Sequence, residues 1–67
     1  MRHKDLKEGE VIESLPGVNF RVKVGERIVI CYVSGKMKQN HIKVLTGGRV
    51  LVALSPTGDR GIITRRL

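Results

Sequence analysis

Cysteine, tryptophan and aromatic side chains are nearly missing from this 67-residue chain, which has one Cys, no Trp, one Tyr and one Phe. A lone cysteine excludes an intrachain disulfide, so a small core must hold without a covalent staple. Cys31 stands between Ile30 and Tyr32 in an apolar run and reads as a buried small hydrophobe of a reducing compartment. One cysteine and two distant histidines, His3 and His41, do not compose a closed tetrahedral zinc set. No run of about 18 apolar residues is present, which excludes a membrane-spanning helix. The opening Met1-Arg2-His3-Lys4-Asp5-Leu6-Lys7-Glu8 lacks the apolar stretch of a signal peptide. No Gly-rich phosphate loop enters a helix, because Thr46-Gly47-Gly48-Arg49 leads into a strand. No nucleophile, base and orienting group can be assembled from these residues, so the expectation is a non-enzymatic protein with no cofactor and no metal.

Acidic residues are scarce in one part of the chain. Residues 1–26 carry five basic and five acidic side chains, whereas residues 27–67 carry eight basic ones against Asp59 alone. The whole net charge of +7 therefore lies in the second part, the footprint of a polyanionic partner. An anionic membrane surface fits less well than nucleic acid, since the basic stretch has no wide apolar face with Trp or Phe to insert.

Turn signals recur at short intervals: Pro16-Gly17, Gly25-Glu26, Gly35, Gly47-Gly48 and Pro56-Thr57-Gly58. Short strands between such signals predict an all-β barrel or sandwich. The predicted strands are Glu8 to Leu15, Asn19 to Val24, Arg27 to Val33, Arg49 to Leu54 and Gly61 to Arg65, preceded by a flexible tail over residues 1–6. Pro16-Gly17 suits a type II turn, and Gly25-Glu26 a two-residue hairpin of the Gly-X kind. Arg27 to Val33 is apolar on both faces, which predicts a strand that is central or covered on its outer side. Phe20 and Tyr32 both fall on apolar strand faces and read as core residues.

Between the third and fourth strands alternation stops. In Ser34-Gly35-Lys36-Met37-Lys38-Gln39-Asn40-His41-Ile42-Lys43-Val44, a helical spacing puts Lys36, Gln39, Asn40 and Lys43 on one face and Met37, His41 and Val44 on the other. Ser34 is placed to cap this helix, expected to be two turns long. His41 can equally stack on a base, contact a phosphate or pack beside Met37. Five strands with a short helix between strands 3 and 4 is the layout of an OB-fold barrel, here a single domain over residues 7–67. Too few aromatics are available to stack successive bases of a single strand. The lysines, arginines and Asn40 suit phosphates, riboses and edges of folded RNA.

Glu8-Gly9-Glu10-Val11-Ile12-Glu13-Ser14-Leu15-Pro16, then Phe20-Arg21-Val22, then Val33-Ser34-Gly35-Lys36-Met37-Lys38-Gln39-Asn40-His41-Ile42-Lys43-Val44-Leu45-Thr46-Gly47 resemble the bacterial and plastid family of translation initiation factor one. The resemblance runs from about residue 8 to residue 56. It implies an S1-like OB-fold that occupies the decoding A site of the small ribosomal subunit, contacts 16S-type rRNA and a neighbouring ribosomal protein, blocks premature tRNA entry and assists initiation factors two and three. It implies a monomer off the ribosome, in a bacterial cytoplasm or a plastid stroma. Lys36, Lys38, Asn40, Lys43 and Arg49 carry over as RNA-facing positions, joined by His41, Arg60 and Arg65. His41 stands where the family usually has Tyr, Phe or Arg, and the run after Pro56 is shorter than the family's. A general RNA chaperone of the cold-shock kind is the alternative.

Overall fold

The computed structural model describes residues 6–39 and 43–67. Five strands, β1 (Leu6–Leu15), β2 (Asn19–Val24), β3 (Arg27–Val33), β4 (Arg49–Leu54) and β5 (Arg60–Arg66), form a closed barrel in the order β1-β2-β3-β5-β4. One helix, α1 (Gly35–Gln39), lies between β3 and β4. All pairings are antiparallel except β3 with β5. This is the OB-fold layout expected from the spacing of turns.

β1 serves both sides of the barrel, pairing β4 through Leu6 to Glu10 and β2 through Glu10 to Leu15. Two features let one strand turn that corner. A shift of register between Val11 and Glu13 marks a bulge, which bends a strand and tightens its twist. Gly9 is buried, and a Cβ there would stand 2.6 Å from Val22 Cγ1, so only glycine permits the close approach of β2. The two short turns follow their sequence chemistry, with Gly17 at φ 70 after Pro16 and Gly25 at φ 63 opening the β2–β3 hairpin.

Alternation supplies the core. Val11, Phe20, Val22, Val29, Cys31, Val33, Val50, Val52 and Ile63 point inward from all five strands, and Met37 joins them from α1. Phe20 and Cys31 are buried as expected.

Two expectations are corrected. Tyr32 is not a core residue, being 48% exposed with Ile28 and Ile30 beside it on the outer face of β3. β3 is paired on both edges, yet nothing among the described residues covers that outer face. A barrel has one interior, and Val29, Cys31 and Val33 already occupy β3's share of it, so the alternate residues must face out. The described part of the helix is Gly35–Gln39, with Met37 its buried side chain, and the second of the two expected turns falls on residues 40–42, outside the described residues. β1 also starts at Leu6, paired with Ala53, two residues before the predicted start. Met1 to Asp5, most of the predicted tail, lie outside the described residues.

Candidate nucleic-acid interface

The basic segment is held at one end of the barrel by a short chain of contacts. The Ser34 amide donates to the Ile63 carbonyl at 3.0 Å, fixing the end of β3 to β5. Ser34 Oγ accepts from the Met37 amide at 3.3 Å, and the Lys38 amide donates to the Ser34 carbonyl at 3.1 Å. Ser34 is thus the N-cap that the sequence indicated. Met37 is 2% exposed and drops from α1 into the barrel end. With Met37 inside, Lys36, Lys38 and Gln39 are turned outward and exposed.

The return path is equally fixed. Gly47, at φ 90, donates to the Val11 carbonyl at 2.6 Å, and Val11 donates back to the Gly48 carbonyl at 2.9 Å. Val44 packs against the core while Lys43 stays exposed. Lys38 and Lys43 flank an open cleft of about 440 Å³ whose wall includes Phe20, Val33, Met37 and Leu45. Neither they nor Lys36 is ion-paired among the described residues, so their charge is available to a polyanion.

The remaining site residues divide. Arg65 lies on β5 opposite Leu51, at the end of the barrel that carries the helix. Arg66, not among the residues expected at the site, donates from Nη1 to the Lys43 carbonyl at 3.4 Å and belongs with the lysines. The Arg65-Arg66 doublet was the available signal; its register with β4 was not. Arg49 is engaged by the Glu8 carboxylate at 2.6 Å, an exposed pair that lowers its net charge toward a ligand. Arg60 begins β5 opposite Ile30, toward the other end of the parallel β3–β5 pair, and stands apart from the lysines. Asn40 and His41 lie outside the described residues.

The other reactive groups are turned to structural use. Burial pushes the Cys31 thiol up to about 11, the opposite of what a nucleophile needs. The Thr57 hydroxyl donates to Asp59 and holds that carboxyl below its ordinary value, with Ser55 and Arg60 adding to the effect. Among the described residues no three His, Cys, Asp or Glu side chains converge on a metal site, and no helix is long and apolar enough to cross a membrane. The arrangement is one of positive charge on a rigid frame, suited to binding.

No protein-family model matches the chain. Among solved structures it is similar to translation initiation factor one from the Wolbachia endosymbiont strain TRS of Brugia malayi, with 42% identity over 98% of this chain and 83% of that one, and a TM-score of 0.75. It is also similar to YjeQ from Thermotoga maritima, with 25% identity over 92% of this chain but 22% of that longer protein, and a TM-score of 0.77.

Proposed function

Because the chain belongs to the family of translation initiation factor one, we propose that it is a non-enzymatic initiation factor that binds the small ribosomal subunit at the decoding A site through rRNA. In this reading the barrel is a rigid plug that blocks premature tRNA entry and assists initiation factors two and three. It acts as a monomer in the cytoplasm, and its rRNA surface borders a neighbouring ribosomal protein. The observation that supports this best is the Ser34-capped helix, anchored by Met37, which carries Lys36 and Lys38 beside Lys43 with no carboxylate paired to any of them among the described residues. A preformed cationic edge binds folded RNA with little loss of its own freedom. Arg65 and Arg66 extend the edge, Asn40 and His41 complete the segment, and Arg49 and Arg60 are peripheral phosphate contacts.

The test is small-subunit binding by the triple variant Lys36→Ala/Lys38→Ala/Lys43→Ala over a series of salt concentrations. All three side chains are exposed, so the fold is retained. Affinity falls, and the slope of log K against log salt becomes shallower by about one per lysine removed. Unchanged affinity removes this segment from the interface. Tighter binding to oligo-pyrimidine than to small subunits would point to a cold-shock-like chaperone instead.

A further inference from the structure

Strand alternation gives two exposed cations at strand ends the same parity as the core residues. On β1, Lys7 shares the inward parity of Gly9 and Val11, and its Cα partner Val52 is fully buried. On β3, Arg27 shares the parity of Val29, Cys31 and Val33. Both stand at the strand beginnings, across the barrel mouth opposite the helix. β3 runs seven residues between that mouth and Ser34, which separates the two ends by about 20 Å.

The mouth forms an open pocket of about 530 Å³ whose lining includes Lys7, Arg27, Leu54, Pro56, Thr57 and Gly58. Its shape is set by the loop between β4 and β5. Gly58, at φ 76, lies under the Arg27 guanidinium, and a Cβ there would stand 2.9 Å from Nη1. Asp59, in the same loop, accepts from Thr57 and Ser55, and no carboxylate is among the residues that line the cavity. Neither Lys7 nor Arg27 is ion-paired among the described residues. A pocket with a guanidinium, an ammonium and apolar lining from Leu54 and Pro56 has the chemistry to take a phosphoryl group attached to a less polar body.

We propose that this mouth is a second anion site, which takes a phosphate of a ribonucleotide unit and is independent of the lysine edge at the other end of the barrel. The phosphate is either that of a free mononucleotide or one in an RNA backbone. With both ends cationic, a barrel measuring 27 × 24 × 20 Å can bridge two RNA segments.

The test is an NMR titration of the isotopically labelled full chain with inorganic phosphate, with GMP and with a short RNA duplex. These are repeated on Lys7→Gln/Arg27→Gln and on the triple lysine variant. The expected result is perturbation of the Lys7, Arg27 and Gly58 signals that survives in the lysine variant. It weakens by at least about tenfold in the double variant, since each charge-assisted hydrogen bond to phosphate contributes about that factor or more. Perturbation by phosphate and GMP identifies a free-nucleotide pocket, whereas perturbation by the duplex alone identifies a backbone contact. Silence at these residues with all three probes overturns the proposal. So do perturbations unaltered in the double variant, or ones confined to Lys36, Lys38 and Lys43. Because the lysine edge is scored separately, either site can fail without the other.

Discussion

Replacing Met37 by Ala removes the one side chain that, among the described residues of the helix, is buried in the barrel. Met37 is 2% exposed, and no other residue of Gly35–Gln39 is buried. Truncating a buried Met to Ala costs about 2–5 kcal/mol, the lower part where the surroundings can collapse. The barrel end is such a place, since Met37 borders the open cleft beside Lys38 and Lys43. A cost of about 2–3 kcal/mol is expected, a large share of the roughly 3–5 kcal/mol that a core of this size supplies. For a domain of this length each kcal/mol lowers Tm by about 4–8 °C, so the expected fall is about 8–24 °C by circular dichroism. Met37→Leu, which keeps the volume, should cost less than about 1.5 kcal/mol. In small-subunit binding, Met37→Ala should weaken affinity even at temperatures where the barrel is folded, because Lys36 and Lys38 then lose their fixed placement. A Tm lowered by less than about 4 °C, or full RNA affinity in a destabilised variant, would refute the role of Met37 as the anchor.

Glu8→Gln releases Arg49 from its 2.6 Å ion pair and raises the net charge by one. Small-subunit affinity should rise and the salt slope steepen, while stability changes by no more than about 1 kcal/mol because the pair is exposed; weaker binding would contradict a phosphate role for Arg49. Cys31 governs stability at high pH. Its folded thiol titrates near 11, above its ordinary value of 9.0, so the unfolded chain loses that proton first and stability declines as pH rises from about 9 through 11. Denaturant midpoints across that range should fall more steeply for the parent chain than for Cys31→Ala, and identical pH slopes would show that Cys31 does not contribute. The same burial predicts that Cys31 is alkylated only on unfolding, read by mass spectrometry in a denaturant series.

What was legible in the sequence is what depends on near neighbours. The bounds of β2, β3 and β4 followed from alternating or apolar runs set between glycine and proline turns, and the Ser34 cap followed from a hydroxyl at the helix start. The lysines of the proposed interface could be grouped from sequence for the same reason, as they lie within a few residues of one another. The fate of β3's outer face depends on closure, because alternation says that two faces exist but not that only one will be enclosed. Tyr32 therefore read as core and stands at the surface. Register between distant strands was decided by tertiary structure alone. It is register that brings Arg66 to Lys43, engages Arg49 with Glu8, sends Arg60 toward the other end, and gathers Lys7 and Arg27 at one mouth. The physical reason is that composition fixes how much positive charge a chain carries, whereas only the closed sheet determines which charges share an end.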